Sequence, residues 1–242
     1  MTQQNVVLVT GATKGIGREI ARQFGALGWT VVVGGRDLGR AEAVVKELVS
    51  HGGDAAAVRI EVTDPASAQV AAEWIEEKYG RLDVLVNNAA VIAEGDDAVS
   101  AISAKTLRDG FETNVVGLVA TTQAMLPLLR RAEAARVVNM STELSSLARV
   151  GDPESRMSTV LTAGYNSSKI AVNMLTVMLA NELRGEGILV NAADPGNCAT
   201  DMGGWDAART PAQGAAVAVR LATLPADGPT GELHDESGRL PW

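Results

Sequence analysis

Tyr165 and Lys169 are the residues of this sequence best suited to acid–base chemistry. They lie four positions apart, so a helix would place both side chains on one face. A free phenol titrates near ~10, and an adjacent cation favours the phenolate and lowers that pKa. The pair could therefore donate and accept a proton near neutral pH. Because Tyr-x-x-x-Lys also arises by chance, its meaning depends on the elements that surround it.

The start of the chain has the pattern of a nucleotide-binding loop. An apolar, β-branched run over residues 6–10 predicts a strand, and residues 18–27 predict a helix. Between them, Gly11, Gly15 and Gly17 would let the backbone turn sharply and let a pyrophosphate approach the helix N-terminus. The spacing Gly-x-x-x-Gly-x-Gly differs from the Gly-x-Gly-x-x-Gly of the usual dinucleotide fingerprint. The alternative is a glycine-rich turn without a ligand, and the flanking strand and helix favour the nucleotide site.

Composition narrows the class of protein. At 242 residues, the chain fits one large α/β domain spanning residues 1–242. Its net charge of −8 argues against a nucleic-acid or anionic-membrane partner. No apolar run approaches membrane-spanning length, and residues 1–5 do not resemble a signal peptide. The single cysteine, Cys198, allows no internal disulfide and fits the reducing cytoplasm. Two histidines, His51 and His234, are too few for a metal cluster or a His-based triad, so no metal site is expected.

Strand and helix patterns alternate along the whole chain. A sheet with parallel strands, helices on both faces and right-handed crossovers follows from this order. Asp64 and Pro65 predict a helix start, as an N-cap followed by proline at the first helical position. The predicted strands cover residues 6–10, 30–34, 55–61, 84–87, 136–140, 188–193 and 231–235. The predicted helices cover residues 18–27, 38–50, 64–79, 105–131 with a break in the middle, 165–183 and 210–224.

Polar and glycine-containing clusters follow several of these strands. In such a sheet, ligands bind beyond the carboxyl ends of the strands, at the point where strand order reverses. The first strand ends at the glycine loop, the fourth at Asn87 and Asn88, and the fifth at Ser141 and Thr142. The sixth ends at residues 194–196, followed by the polar run 197–201. Any one cluster is as consistent with an ordinary loop, but together at one edge they indicate a ligand site.

Read together, these motifs resemble the short-chain dehydrogenase/reductase family, and within it the carbonyl-reductase-like members. The resemblance covers nearly the whole chain and implies a single-domain Rossmann fold with a doubly wound, mostly parallel, seven-stranded sheet. The residues that carry it are Thr10, Gly11, Gly15, Ile16, Gly17, Asn87, Asn88, Ala89, residues 111–115 around Asn114, residues 137–142, Tyr165, Lys169, Pro195 and Gly196.

The resemblance implies a nicotinamide cofactor and hydride transfer to or from a carbonyl carbon. Tyr165 would exchange the proton with the substrate oxygen, and Lys169 would hold the nicotinamide ribose and lower the tyrosine pKa together with the oxidised ring. Thr142 would orient the substrate oxygen, and Asn114 would hold a water linking Lys169 to solvent. The expected cofactor contacts are Gly11, Thr13, Lys14, Gly15, Ile16, Gly17, Arg36, Glu61, Val62, Asn88, Ala89, Tyr165, Lys169, Pro195, Gly196, Cys198 and Thr200.

Three positions depart from the family pattern. Thr142 stands where the family usually has a serine; threonine can make the same hydrogen bond with fewer rotamers. Ser141, one residue earlier, should point to the opposite side of the strand. Ala90 replaces the glycine that usually ends the Asn-Asn-Ala-Gly motif, and Glu61 stands where a shorter acid often lies near the adenine.

The residues after the second strand favour NADPH over NADH. NAD-selective sites place an acid there to bind the ribose hydroxyls, whereas a 2′-phosphate needs cations. Gly35 occupies the position of that acid, and Arg36 follows it. Lys14 in the glycine loop adds a second cation. Asp37 partly offsets these charges. The alternative is that Arg36 and Lys14 are solvated surface cations that bind no phosphate.

The substrate side is less informative. Residues 143–164 form a longer segment than is common in the family and are expected to make a loop over the site, and residues 197–209 a short lid. Trp205, with Val150 and Met157, is expected to form an apolar wall, although packing of Trp205 on a helix is an equal alternative. The short lid favours an open pocket for a range of ketones or aldehydes.

The sequence thus predicts an NADPH-dependent reductase of a small-molecule carbonyl. The alternatives are an NADP-dependent secondary-alcohol dehydrogenase and a non-catalytic dinucleotide-binding regulatory protein. Relatives usually associate through the tyrosine-bearing helix and the helix before it, so we expect a homodimer or homotetramer. The apolar ending at residues 240–242 is expected to dock on its own subunit or on a neighbour.

Overall fold

The computed structural model describes residues 4–242. Its strands are β1 (Val6–Val9), β2 (Thr30–Gly35), β3 (Asp54–Arg59), β4 (Val84–Asn87), β5 (Arg136–Met140), β6 (Leu189–Ala193), β7 (Leu233–Asp235) and β8 (Gly238–Leu240). Its helices are α1 (Gly15–Ala26), α2 (Leu38–Ser50), α3 (Pro65–Tyr79), α4 (Ala104–Phe111), α5 (Gly117–Leu129), α6 (Leu147–Val150), α7 (Ala163–Leu183) and α8 (Pro211–Ala222).

All eight strands form one sheet in the order β3-β2-β1-β4-β5-β6-β7-β8. Strands β1 to β7 pair in parallel, and β8 pairs antiparallel with β7. The prediction of seven strands was therefore one strand short. The extra strand arises because Asp235 Oδ1 accepts hydrogen bonds from the backbone N–H of Ser237 and Gly238, which closes a tight reversal. Gly238 has φ +131°, a conformation that favours glycine.

Apolar side chains cover both faces of the sheet, which explains why its strands have nearly continuous hydrophobic sequences. Val7 and Val9 face α1, α2 and α8, with Phe24 fully buried between the layers. Val6 and Leu8 point the other way, toward α3, α5 and α7. Full burial of each such side chain stabilises the fold by about 1.5–3 kcal/mol. The two layers hold the carboxyl ends of the parallel strands at one fixed edge.

Most predicted element bounds hold to within a few residues. Asp64 caps α3 by accepting a hydrogen bond from Ala66 N–H at 3.0 Å, as its sequence predicted. The long helix predicted over residues 105–131 is α4 and α5, joined by a π-helical turn at Glu112–Val116 where a break was expected. None of the helices in residues 4–242 is both long and apolar enough to cross a membrane.

The segment after β5 is more ordered than the predicted loop. It contains a 3₁₀ turn at Glu143–Ser145, the short helix α6 and a second 3₁₀ turn at Arg156–Thr159. Helix α7 then begins at Ala163, two residues before the predicted start. The carboxyl edge of the sheet is therefore covered by a folded segment.

Candidate active site

The glycine loop after β1 has the backbone shape its sequence predicted. Gly11 and Gly15 adopt φ values of +63° and +55°, a left-handed conformation that residues with a Cβ rarely adopt. A Cβ on Gly17 would lie 2.4 Å from Asn88 Nδ2 and 2.5 Å from the Gly11 carbonyl oxygen. These positions need glycine, and they leave the N-terminus of α1 open to an anion.

Asn88 and Thr10 hold this loop against the end of β4. Thr10 Oγ1 accepts hydrogen bonds from the backbone N–H of Asn88 at 3.0 Å and of Ala89 at 3.1 Å. Asn88 Nδ2 donates to the carbonyl oxygens of Thr10 at 2.8 Å and Gly11 at 3.2 Å. The side-chain amide of Asn88 therefore shapes the glycine loop, whereas the sequence suggested that it would lie against the nucleotide.

The end of β2 carries a glycine whose neighbour would have to move to admit a side chain. A Cβ on Gly35 would lie 2.6 Å from the Thr13 methyl group. Arg36 is exposed. The neighbouring Asp37 caps α2 by accepting from Arg40 N–H at 3.1 Å and also pairs with the Arg40 guanidinium at 3.5 Å. Asp37 therefore neutralises the positive charge of Arg36 less than the sequence suggested, and the end of β2 presents a cation.

Lys14 is paired with Asp201, in the segment after β6, and does not join Arg36 as the second cation that the sequence suggested. Its Nζ pairs with Asp201 Oδ2 at 2.5 Å, and both side chains are largely exposed. Beside this pair, a Cβ on Gly15 would lie 3.3 Å from the Thr200 methyl group. The glycine loop and the start of the predicted lid are therefore neighbours, and the role of Thr200 in binding a cofactor stays a prediction.

Tyr165 and Lys169 lie on one face of α7, as predicted, beside the end of β5. Lys169 is 3% exposed, and its Nζ donates to the Met140 carbonyl oxygen at 2.7 Å. The same Nζ lies 5.7 Å from the centroid of the Tyr165 ring. The phenol and the ammonium thus lie near each other at the carboxyl edge of the sheet, the edge at which β1 also ends in the glycine loop.

Burial dominates the titration of both groups. It lowers the pKa of Lys169 to about 8. Burial also raises the pKa of the Tyr165 phenol, and the nearby Asp194 carboxylate raises it further. The sequence led us to expect that Lys169 would lower the pKa of Tyr165. In the chain by itself the net effect is a raised pKa, because the Lys169 ammonium is turned toward Met140 and the loss of water around the phenol has the larger effect. At neutral pH the phenol holds its proton and the lysine holds its charge.

Thr142 and Ser141 point to different environments, as the alternation along β5 predicted. Ser141 is 2% exposed, and its Oγ donates to Asn173 Oδ1 on α7 at 2.7 Å. Thr142 is half-buried, and its Oγ1 accepts from the backbone N–H of Leu144 at 3.3 Å. Thr142 is therefore the hydroxyl that remains available at the strand end.

Asn114 lies buried in the π-helical turn between α4 and α5. Its Oδ1 accepts from Val91 N–H at 2.8 Å, and its Nδ2 donates to the Val91 carbonyl at 2.9 Å and to Ser168 Oγ at 2.9 Å. The side chain of Asn114 thus joins the loop after β4 to α7. The water that the resemblance places at Asn114 stays a prediction.

The other predicted cofactor residues have varied settings. Val62 is buried, with its carbonyl 2.8 Å from where a Gly117 Cβ would lie, and Glu61 accepts a hydrogen bond from Thr63 at 3.1 Å. Cys198 is buried, and its Sγ donates to the Pro195 carbonyl at 3.4 Å, so its side chain lies in the protein interior. Gly196 has φ +66°, and Ile16 packs on the core behind the loop.

The segment between β5 and α7 is cross-linked internally by Glu143. Its carboxylate pairs with Arg149 at 2.8 Å and with Arg156 at 3.1 Å. Met157 is buried within this segment, whereas Trp205 on the lid is 75% exposed. Trp205 therefore does not pack on a helix, which removes the alternative considered for it. The Trp242 carbonyl accepts from Ala148 N–H at 3.2 Å, so the apolar end of the chain docks on its own subunit.

Sequence reasoning missed two acidic residues near Tyr165. Asp194, at the end of β6, is 5% exposed, and burial raises its pKa to about 6. Asp96 bonds the first turn of α7. Asp194 was visible in the sequence as a charged residue directly after a buried strand. Asp96 gave no local signal, since its partners lie 68 and 69 residues away.

The fold and this constellation define the class of protein. The chain belongs to the short-chain dehydrogenase family: the family model, described as short chain dehydrogenase, matches residues 5–209. The resemblance read from the sequence is therefore confirmed.

Known proteins similar to this chain agree with that assignment. The short-chain dehydrogenase anuI of Penicillium roqueforti is 35% identical and aligns with 90% of this chain and 88% of its own. Carbonyl reductase (NADPH) 1 of Mus musculus is 32% identical, with 98% of each chain aligned. The crystal structure of NADPH-bound carbonyl reductase from chicken fatty liver superposes with a TM-score of 0.87 at 28% identity, covering 99% of this chain and 100% of its own. The crystal structure of a short-chain dehydrogenase of Shigella flexneri complexed with NADP superposes with a TM-score of 0.84 at 26% identity, covering 96% of this chain and 98% of that chain.

Proposed function

We propose that this protein is an NADPH-dependent oxidoreductase that reduces a ketone or aldehyde carbonyl to an alcohol. The observation that supports the proposal is the position of Lys169, whose Nζ lies 5.7 Å from the centroid of the Tyr165 ring and reaches the end of β5, the strand that leads to Thr142. Lys169 Nζ reaches the β5 backbone at Met140, two residues before Thr142. An acid, a cation and a hydroxyl at one strand end suit the protonation of a developing alkoxide.

The glycine loop and the β2 end fit an NADPH cofactor. Gly11, Gly15 and Gly17 form a cradle that side chains would fill, and the start of α1 would face the pyrophosphate. Gly35 provides no acid to bind the ribose hydroxyls, and the exposed Arg36 guanidinium suits a 2′-phosphate. When bound, NADPH supplies the hydride that reduces the carbonyl carbon.

The chain's own residues would complete the reaction at the substrate oxygen. The Tyr165 phenol donates its proton to the oxygen as negative charge develops there, and its raised pKa keeps it protonated at neutral pH. The Thr142 hydroxyl donates a hydrogen bond that orients the same oxygen. The Lys169 ammonium, charged below its pKa of about 8, stabilises the phenolate that remains after proton transfer.

We place the substrate pocket between residues 143–164 and the lid at residues 197–209, within one domain covering residues 1–242. The exposed Trp205 and Met202 of the lid offer apolar contact to a carbonyl compound. The single cysteine fits a cytoplasmic enzyme.

We also propose that two or four copies associate through the outer face of α5 and α7. Met174 and Met178, one turn apart on α7, are 60% and 59% exposed, and Val116, the last residue of the π-helical turn before α5, is 47% exposed. Several exposed large apolar side chains on one face are typical of an interaction surface. Between α3, α5 and α7 lies an apolar groove that includes Val119 and Leu175.

The proposed activity is tested by offering the purified protein a panel of ketones, aldehydes and quinones with NADPH and with NADH. We expect consumption of NADPH with at least one carbonyl and a higher kcat/KM with NADPH than with NADH. Tight NADPH binding without turnover of any carbonyl or alcohol would instead support a regulatory dinucleotide-binding protein. A preference for NADH would overturn the assignment of the cofactor.

A further inference from the structure

The N-terminus of α7, the helix that carries Tyr165 and Lys169, is capped from a distant part of the chain. The residue before the helix, Thr162, makes no side-chain capping hydrogen bond. The first backbone N–H groups of a helix have no partner within the helix and need one elsewhere. In α7 these groups belong to Ala163, Gly164 and Tyr165.

The loop between β4 and α4 supplies all three acceptors. Asp96 Oδ1 accepts from Gly164 N–H at 2.8 Å, and Asp96 Oδ2 accepts from the N–H of Tyr165 itself at 2.7 Å. The carbonyl oxygen of Asp97 accepts from Ala163 N–H at 3.0 Å. Both oxygens of one half-buried carboxylate are thus used on the turn that holds the acid, and its negative charge also favours the helix N-terminus.

The position of Gly164 makes this contact possible. A Cβ on Gly164 would lie 3.2 Å from each Asp96 carboxylate oxygen and 3.1 Å from Ile102 Cδ1. A side chain at this position would therefore push the carboxylate away by a few tenths of an ångström. On the other side, a turn from Ala93 to Asp96, closed by a 3.0 Å backbone hydrogen bond, presents the carboxylate to the helix.

The same loop is attached to the cofactor side of the site. Its first residues include Asn88, which holds the glycine loop, and Val91, which pairs with Asn114. Asn114 also donates to Ser168 Oγ, and that hydroxyl donates to the Tyr165 carbonyl at 2.7 Å. The backbone of Tyr165 is therefore held at its N–H by Asp96 and at its carbonyl by Ser168.

We propose that Asp96 is a positioning residue for the reaction: its bidentate contact fixes the Tyr165 backbone relative to the loop that shapes the cofactor site. This inference rests on the proposed role of Tyr165 as the proton donor. It is independent of the substrate's identity. A shift of about 1 Å in a reacting group can lower a rate by about 100-fold, so the contact matters for turnover more than for cofactor binding.

The test compares Asp96→Asn with Asp97→Asn, using a carbonyl that the wild-type protein reduces. Asparagine has the shape of aspartate but turns an N–H₂ group toward one of the two backbone N–H groups, so one contact becomes repulsive. Within residues 4–242, the side chain of Asp97 accepts only from its neighbour Ala98 N–H, and its contact to α7 is through the backbone, so Asp97→Asn is the matched control. We expect kcat of Asp96→Asn to fall by about 10- to 100-fold with NADPH affinity unchanged, and Asp97→Asn to match the wild type.

Hydrogen exchange separates positioning from a general loss of structure. In Asp96→Asn, the amides of Gly164 and Tyr165 should exchange faster, while the Ala163 amide, which bonds to the Asp97 backbone, stays protected. A second variant, Gly164→Ala, leaves Asp96 intact and improves the helix propensity of α7, yet it should lower kcat by displacing the carboxylate. If Asp96→Asn does not fold, Gly164→Ala decides the question alone.

The outcomes distinguish this inference from the proposed function. An inactive Tyr165→Phe variant together with low kcat in Asp96→Asn and Gly164→Ala supports both. If Tyr165→Phe is inactive but Asp96→Asn and Gly164→Ala turn over like Asp97→Asn, the proposed function stands and the positioning role is wrong. If Tyr165→Phe retains activity, the proposed function itself is wrong.

Discussion

The buried charge of Lys169 suits the proposed reaction but lowers the stability of the folded protein. A lysine that is 3% exposed, whose Nζ bonds a backbone carbonyl, has lost most of its water. Burial disfavours the ammonium form and lowers the pKa of Lys169 to about 8, from the usual lysine value of 10.5. The folded state therefore holds this charge at a cost in stability, which the proposed role of Lys169 in the reaction explains.

The reduction rate should follow the charge of Lys169. Below about pH 8 the ammonium is present in the folded protein, and above it the group becomes neutral. We expect kcat for carbonyl reduction to decline as the pH rises through about 8, because the neutral amine no longer stabilises the Tyr165 phenolate. A pH–rate profile with saturating substrate and cofactor measures this decline. A rate that stays constant well above pH 9 would contradict the assigned role of Lys169.

The same shift has a consequence for stability with the opposite trend. Because the unfolded chain binds a proton at Lys169 up to about pH 10.5 and the folded chain only up to about 8, this group makes the free energy of unfolding rise between those values. A gain in stability together with a loss of activity over this pH range would identify Lys169 as their common source.

At the scale of elements, the glycine loop and α1 form one unit whose fit depends on particular glycines. Gly17 and Gly25 both lie in α1, but a Cβ on Gly17 would meet Asn88 Nδ2 at 2.4 Å, whereas one on Gly25 would meet only Leu48 Cδ2 at 3.6 Å. The first distance is a clash and the second an ordinary contact. Substituting each glycine in turn therefore distinguishes an effect on the shape of the glycine loop from an effect on helix α1 alone.

We expect Gly17→Ala to weaken NADPH binding by at least about 10-fold, which corresponds to ~1.4 kcal/mol. The added methyl group must displace Asn88 or the Gly11 carbonyl and so distort the loop. Gly25→Ala, the control, should bind NADPH normally and gain up to about 1 kcal/mol of stability from helix propensity. Fluorescence titration and thermal unfolding measure both effects. Equal NADPH affinity in the two variants would show that the loop is not the cofactor site.

The elements that the sequence predicted well are those with a local pattern. Strands β4 and β5 match their predicted bounds because each contains adjacent buried valine or leucine residues, and α3 matches because Asp64 and Pro65 mark its start. Strand β8 was missed because three residues that include Arg239 carry no periodic signal. The cap of α7 was missed because the acceptor is Asp96, 68 residues before the N–H group that it binds.

At the scale of the whole molecule, the parallel order of the strands explains why the site could be assembled from sequence. When strands and helices alternate, the strands run parallel and their carboxyl ends share one edge of the sheet. The glycine loop, Thr142 and Gly196 can therefore be placed at the same edge without knowing any tertiary contact. What depends on tertiary contacts could not be predicted. The pairing of Lys14 with Asp201, the burial of Cys198 and the balance of effects on the Tyr165 pKa belong to this group.

The outer face of α5 and α7 leads to a prediction about assembly. We expect the protein to sediment as a dimer or tetramer and Met178→Glu to dissociate it, because a carboxylate would be buried without a partner. Val99→Glu is the control, since Val99 is 85% exposed in the loop before α4. Analytical ultracentrifugation over a range of concentrations measures both variants. A wild-type protein that is monomeric at all concentrations would contradict the proposed interface.

The central claim, that Tyr165 gives the proton in an NADPH-dependent reduction, is tested most directly by one measurement. The rate of NADPH oxidation in a single turnover, with a carbonyl found in the panel, is compared between the wild type and Tyr165→Phe. Phenylalanine keeps the ring and removes only the hydroxyl. We predict that the rate falls by about 10²- to 10⁴-fold, the usual contribution of general acid catalysis, while NADPH still binds. A Tyr165→Phe rate close to that of the wild type would contradict the account.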